Sequence, residues 1–125
     1  MKQIIATDNA PAAIGPYSQA TIANGMMYIS GQLPIDPQTG SIESEDIKEQ
    51  AAQSLKNVIA IAQAGGVSVG DIIKVNIFIT DMGQFSAIND VYKTFFTQDF
   101  PARAVVEVSA LPLGANIEIE AVAAL

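Results

Sequence analysis

The sequence predicts an α+β fold in which two helices lie on one face of a six-stranded mixed sheet. Two observations carry this prediction. Six short segments have strand character, mostly with alternating apolar and polar residues, and two longer segments place apolar residues at helical spacing. Their order is βββαβαββ, with no repeat, linker or low-complexity tract between them. We therefore expect a single domain over residues 1–125.

The predicted strands are bounded by turn-forming residues. The second and third strands flank Asn24-Gly25, which is the strongest short hairpin signal in the chain. Residues 8–16 and 32–44 are predicted as loops, the latter with a turn at residues 37–40. The six predicted strands span residues 2–7, 17–23, 26–31, 72–80, 102–108 and 116–124.

Each predicted helix has recognisable end signals. The first spans residues 45–64, with Ser44 as the predicted N-cap and Gly65-Gly66 at its end. The second begins with a sequence that resembles a capping box at residues 81–84 and continues to about residue 97. Because two amphipathic helices can cover only one face of the sheet, its other apolar face predicts self-association. A ligand site in a crevice between subunits would then be natural.

The last two strands carry the charged cluster that the chain offers as a chemical centre. Arg103 is its only arginine, and Glu118 and Glu120 follow on the next strand. If these strands form an antiparallel hairpin around residues 110–114, Arg103 lies opposite roughly residues 118–121. The cluster is then either a functional chemical centre or a structural ion pair of Arg103 with Glu118 or Glu120 that closes the hairpin.

The composition excludes several classes of function. The chain has no histidine and no cysteine, which excludes Ser-His-Asp triads, thiolate nucleophiles and zinc sites of the usual kind. Its net charge of −7 opposes binding to nucleic-acid phosphates. No apolar run approaches the roughly 20 residues of a membrane span, and the N-terminus lacks a secretory segment. We expect a cytoplasmic protein without nucleic-acid or membrane partners.

Several motifs in sequence order resemble the RidA/YjgF family, also known as reactive intermediate imine deaminases or L-PSP-type proteins. The resemblance extends over nearly the whole chain and is most specific at the end, where Pro-x-Arg precedes a hydrophobic run and Ile-Glu-Ile. The motifs are NAPAAIGPYSQA (9–20), SGQLPIDPQTG (30–40), AQSLKNVIAIAQAGG (52–66), VGDIIKVNIFITDM (69–82), INDVYKTFF (88–96) and PARAVVEVSALP with IEIEAVA (101–123).

This resemblance implies a chorismate-mutase-like fold, assembled as a homotrimer with a ligand cleft at each interface. It implies hydrolysis of 2-iminobutanoate and 2-iminopropanoate to 2-oxo acids and ammonia, which protects pyridoxal-phosphate enzymes. No cofactor and no metal are implied. Two alternatives stay open: a non-catalytic protein that binds small 2-oxo acids, and an RNA-cleaving or translation-inhibiting protein, which the charge disfavours.

The family's catalytic positions fall on two residues of this chain. Arg103 would bind the substrate carboxylate, and Glu118, which a nearby arginine should keep ionised, would handle the attacking water. Val105 stands where many deaminase members have cysteine, a position that the family uses largely through its backbone. The other pocket positions fall on Tyr17, Ser30, Gly31 and Asn89.

Without the family, these four positions also have ordinary structural explanations. Tyr17 could be a half-buried strand tyrosine, and Gly31 after Ser30 a plain turn glycine. Asn89 could be an exposed helix residue, and Glu120 is better explained as a solvated or interface charge.

Overall fold

Six of the eight strands form one mixed sheet in the computed structural model, which describes all residues 1–125. The strands are β1 (Gln3–Ile5), β2 (Ala20–Ala23), β3 (Met26–Gln32), β4 (Ile35–Asp36), β5 (Ser41–Ile42), β6 (Ile72–Ile79), β7 (Ala102–Glu107) and β8 (Ile117–Ala124). Across the sheet their order is β1-β2-β3-β8-β6-β7, and only β6 and β7 run parallel. The predicted α+β fold with a six-stranded mixed sheet is confirmed.

Helix α1 (Ile47–Ala64) begins two residues later than predicted. Its N-cap is Asp46, whose carboxylate accepts a hydrogen bond from the backbone N–H of Glu49 at 3.0 Å. The prediction that Ser44 caps this helix is therefore wrong. The Ser44 hydroxyl instead accepts from the Asp46 N–H, outside the helix.

Helix α2 (Phe85–Phe95) follows a 3-10 turn over Met82–Gln84. Asp81 stabilises this turn by accepting a hydrogen bond from Gly83 N–H at 2.9 Å. The predicted start signal at residues 81–84 therefore marks a real helix entry, although the α-helix itself begins only after it. Neither helix combines the length and the apolar character needed to cross a membrane.

Both helices pack on the same face of the sheet, which we call the helix face. The core there joins alternate strand residues, such as Val75 and Ile119, to buried residues of both helices, such as Leu55 and Ile88. No helix packs on the opposite surface, which we call the open face. Its exposed apolar side chains are Ile4 (51% exposed), Tyr28 (52%) and Val106 (46%). The predicted placement of both helices on one face is thus confirmed.

The predicted pairing of the last two strands is wrong. β7 and β8 do not form a hairpin, because β6 lies between them and pairs with both. The unit β6-α2-β7 is a strand-helix-strand crossover, which normally makes its two strands parallel neighbours. The loop after β7 then carries the chain past the end of β6, where Val108 N–H donates to the Ile79 carbonyl at 2.8 Å.

The remaining differences concern loops. The predicted hairpin at Asn24-Gly25 is confirmed, with φ values of 53° and 75° at its two central residues. The segment 32–44, predicted as an irregular connection, contains the small β4-β5 hairpin. Residues 17–19, predicted as part of the second strand, belong instead to the loop before β2.

Candidate functional site

A cleft of about 710 Å³ lies on the chain beside the end of β3 and the beginning of β8. Three loops contribute apolar side chains to its walls, including Ile14, Leu33 and Leu113. The sheet contributes polar groups, among them Glu118 and Glu120. A cleft of this size with few polar groups suits a small organic ligand. Of the predicted pocket residues, the cleft contains Tyr17, Ser30 and Gly31 together with Glu118.

A bulge in β3 shapes the floor of the cleft. Ile29 pairs with Ala121 and Gln32 with Ile119, so the two intervening residues on β3 face a single residue on β8. Gly31 lies in this bulge, directly against Glu118. A Cβ atom added to Gly31 would lie 2.9 Å from the Glu118 carboxyl carbon. The absence of a side chain at this position therefore makes room for the carboxylate.

Hydrogen bonds fix the loop that precedes β2 along one wall of the cleft. The Ser30 hydroxyl donates to the Ser18 carbonyl at 2.6 Å. Gln19, which is buried, donates from its side-chain amide to the Pro11 carbonyl at 2.8 Å. Tyr17, half exposed on this loop, is thereby presented at the cleft.

Glu118 is a partly buried carboxyl group without an opposite charge nearby. Burial raises the pKa of the Glu118 carboxyl above its ordinary value, and the charge of Glu120 raises it further. The expectation that an adjacent arginine favours its ionised form is wrong for the isolated chain. The raised pKa of Glu118 lies closer to neutral pH than that of an ordinary glutamate. A general base works best when its pKa lies near the operating pH.

Arg103 lies at the edge strand β7 and contacts helix α2. Its Nη1 donates a hydrogen bond to Asn89 Oδ1 at 2.8 Å. Its guanidinium carbon lies 4.7 Å from the centre of the Tyr92 ring and 5.7 Å from that of Phe85. Both ion pairs of the chain involve Asp90, with Lys48 and Lys93 as partners. The guanidinium is thus held by neutral groups only.

Arg103 and Glu118 extend from opposite faces of the sheet. Arg103 pairs with Val75, a fully buried residue of the helix face. Glu118 pairs with Phe78, which alternation places on the open face. The sequence pattern predicts Arg103 opposite residues 118–121 in one charged cluster. That cluster does not form, because Arg103 aligns through β6 with Ala121 on the helix face, whereas Glu118 aligns with Val106 on the open face.

The other predicted site residues divide between these two regions. Asn89 lies with Arg103 beside a second, smaller cavity of about 380 Å³. Val105 is on the helix face opposite Ile77, and its side chain packs partly against the core. Its side chain lines neither the cleft nor the arginine cavity.

Sequence reasoning missed the aromatic surroundings of Arg103. The apolar spacing of the second predicted helix assigns Phe85 and Tyr92 only to its buried face. Together with Asn89 they occupy positions i, i+4 and i+7 of this helix, so they share the face that Arg103 contacts. This spacing was visible in the sequence, but the packing of β7 beside α2 was not.

The fold first defines a class: an α+β protein with two helices on one face of a six-stranded mixed sheet. A family model described as Endoribonuclease L-PSP matches residues 7–125. The chain belongs to this family, which is the RidA/YjgF family that its motifs resemble.

Several relatives match this chain over at least 98% of their length. The chain is 51% identical to the 2-iminobutanoate/2-iminopropanoate deaminase of Salmonella typhimurium, with 98% of each chain covered. A crystal structure of Escherichia coli TdcF with bound serine superposes with a TM-score of 0.95 at 49% identity, covering 98% of both chains. A conserved Rid-family protein from Yersinia pestis superposes with a TM-score of 0.98 at 49% identity over the full length of both.

Proposed function

We propose that this protein hydrolyses small 2-imino acids, such as 2-iminobutanoate and 2-iminopropanoate, to 2-oxo acids and ammonia. The observation that carries the proposal is the state of Arg103. Its partly buried guanidinium is held by an amide and two aromatic rings, so its charge is left for an anionic ligand. The name and 51% identity of the Salmonella deaminase support this reading.

Arg103 is the proposed anchor for the substrate carboxylate. A guanidinium offers two parallel N–H groups that match the two oxygens of a carboxylate. Only one hydrogen bond from the guanidinium is used within the chain, so donors remain for such a pair. The serine-bound TdcF structure supports the same class of ligand, because serine carries a carboxylate.

Glu118 is the proposed general base. Its carboxylate would take a proton from a water molecule as the water oxygen attacks the imine carbon. The nitrogen receives a proton, and a carbinolamine forms. Loss of ammonia, with transfer of the hydroxyl proton, then yields the 2-oxo acid. No redox step occurs, so these steps require no cofactor.

The two groups can act on one substrate only if two copies of the chain meet. Arg103 and Glu118 lie on opposite faces of one sheet, whereas a heterologous contact would place the Arg103 edge of one copy beside the cleft of the next. The exposed apolar side chains of the open face supply a surface for this contact. We therefore propose a chorismate-mutase-like homotrimer with one site at each interface.

The remaining pocket residues have proposed roles in the same site. Tyr17, Ser30 and Gly31 would line the substrate from the cleft side, and Asn89 would do so from the arginine side. Val105 would contribute through its backbone, since β7 is an edge strand with peptide groups that no neighbouring strand uses. We propose that the protein works in the cytoplasm, without nucleic-acid partners.

A second candidate function is binding without catalysis. The TdcF structure with bound serine favours it, because a relative binds a small molecule that carries a carboxylate. In that case Arg103 would matter for binding, and Glu118 would have no role in turnover. The family description also mentions RNA cleavage, but a net charge of −7 opposes this activity here.

The test couples a threonine dehydratase to this protein and measures the rate at which 2-oxobutanoate appears. Arg103→Ala should abolish both hydrolysis and calorimetric binding of 2-oxobutanoate, and Arg103→Lys should recover little. Glu118→Gln should retain binding but lose about 10²–10⁴-fold in rate. Glu45→Gln is the matched control, because it removes an exposed carboxylate that does not line the cleft, and it should keep the wild-type rate. Wild-type turnover in Glu118→Gln would favour the binding protein instead.

A further inference from the structure

A long arginine side chain needs restraint before its guanidinium can define a binding geometry. Arg103 has several rotatable bonds, and ordering them on ligand binding would cost conformational entropy. In the folded chain three side chains of α2 contact its guanidinium. We call this group the arginine clamp; it consists of Phe85, Asn89 and Tyr92.

Tyr92 is the most deeply buried member of the clamp. Its side chain is only 6% exposed and belongs to the main hydrophobic core. Its ring also packs on Phe96, with 4.7 Å between ring centres and 31° between ring planes. The face that supports the guanidinium is therefore fixed by core packing before any ligand binds.

The hydroxyl group of Tyr92 has no hydrogen-bond partner in the chain, although it is buried. A buried, unpartnered hydroxyl contributes nothing favourable to stability within the chain. The contact with Arg103 uses the ring, at 4.7 Å from the guanidinium carbon. Within the chain, the Tyr92 ring therefore has a contact partner, whereas the Tyr92 hydroxyl has none.

Asn89 complements the ring by fixing rotation of the guanidinium within its plane. It accepts from one Nη1 hydrogen at 2.8 Å, and its amide adds no charge that would compete with a ligand. Phe85 lies farther away, at 5.7 Å, and is 37% exposed, so it covers the guanidinium from the rim.

We propose that Tyr92 is a positioning residue for ligand binding: its ring face holds the Arg103 guanidinium in the orientation that receives the substrate carboxylate. This inference rests on the proposed anchor role of Arg103 and names a residue that the sequence motifs assigned only to packing. The ring, rather than the hydroxyl, carries the effect. Loss of the ring raises KM, because the guanidinium must then be ordered when the substrate binds.

The experiment compares Tyr92→Leu, Tyr92→Phe and Arg103→Ala in the coupled imine assay. Removal of a cation–π contact predicts a rise in KM of about tenfold for Tyr92→Leu, with kcat retained. Tyr92→Phe keeps the ring and should retain the wild-type KM. Val58→Ala, which removes core volume from α1 instead of from the helix that carries the clamp, is the control for packing loss and should leave KM unchanged.

The outcomes separate this inference from the proposed function. If Arg103→Ala leaves KM at the wild-type value, the anchor assignment itself is wrong. If Arg103→Ala raises KM or abolishes activity while Tyr92→Leu leaves KM unchanged, only the positioning role is overturned. An equal rise in Tyr92→Phe and Tyr92→Leu would assign the effect to the hydroxyl and also overturn it. If Tyr92→Leu fails to fold, the rim variant Phe85→Leu decides, with about a twofold rise expected and an unchanged KM as the contrary result.

Discussion

The cleft around Glu118 and the clamp around Arg103 are built in opposite ways. In the cleft, backbone geometry makes room for a carboxylate, through the bulge at Gly31 and loops held by buried side chains. At the clamp, side chains of one helix hold a cation that has no counter-charge. Each region therefore keeps charge of one sign uncompensated within the chain. Under the proposed function, this difference means that the two regions must complete each other.

The largest effect should come from filling the space at Gly31. In Gly31→Ala the new Cβ would lie 2.9 Å from the Glu118 carboxyl carbon, so the carboxylate must move. Displacement of a catalytic group by about 1 Å can lower kcat roughly 100-fold. Steady-state kinetics of the imine assay measure this loss.

The matched control for that variant is Gly70→Ala. A Cβ atom there would meet only the Ser68 hydroxyl, at 3.9 Å. Its kcat should equal that of the wild type. Unchanged kcat in Gly31→Ala would mean that the position of Glu118 does not limit the reaction.

A smaller effect should follow from adding a charge to the clamp. Asn89→Asp places a carboxylate where Oδ1 lies 2.8 Å from Arg103 Nη1, so it would compete with the substrate for the guanidinium. We expect affinity for 2-oxobutanoate to fall about tenfold, by calorimetric titration. Ser86→Asp adds the same charge at an exposed position of the same helix and should bind normally. Equal affinity in both variants would show that the neutral partner is not needed.

The smallest effect concerns pH. If Glu118 is the general base, activity requires its ionised form, so kcat/KM should fall as pH decreases through its pKa. Because the Glu120 charge raises the pKa of Glu118, Glu120→Gln should lower that pKa and move the acid limb to lower pH. The shift should be smaller than the one that burial produces, since burial is the larger cause of the raised pKa. If the acid limb of the pH profile is unchanged in Glu120→Gln, the charge of Glu120 does not influence the pKa of Glu118.

Much of the fold could be predicted because local patterns are strong. The Asn24-Gly25 turn and the alternation in β6 each specify their element within a few residues. The prediction of a hairpin between the last two strands was wrong because their pairing depends on β6, a strand that is distant in the sequence. Their spacing is compatible with direct pairing, and only the crossover through α2 puts β6 between them.

The same limit applies to the candidate site. Arg103 and Glu118 stand out by residue type, but the face from which each extends depends on sheet order. The role of Tyr92 was invisible because a buried aromatic residue on an amphipathic helix is usually explained by packing alone. Residue types therefore identified Arg103 and Glu118 as candidate site residues, whereas the order of the strands determines which charged side chains can approach each other.

The most direct test of the account mixes two inactive variants. Arg103→Ala and Glu118→Gln are co-expressed in equal amounts so that they assemble together, and imine hydrolysis is measured against each variant alone. In a ring assembly an interface retains Arg103 in half of the cases and Glu118 in half, so about one quarter of the wild-type activity should return. Co-assembly of Arg103→Ala with the double variant should restore none. If the first mixture is no more active than its two components, Arg103 and Glu118 do not act from different copies on one substrate, and the account is contradicted.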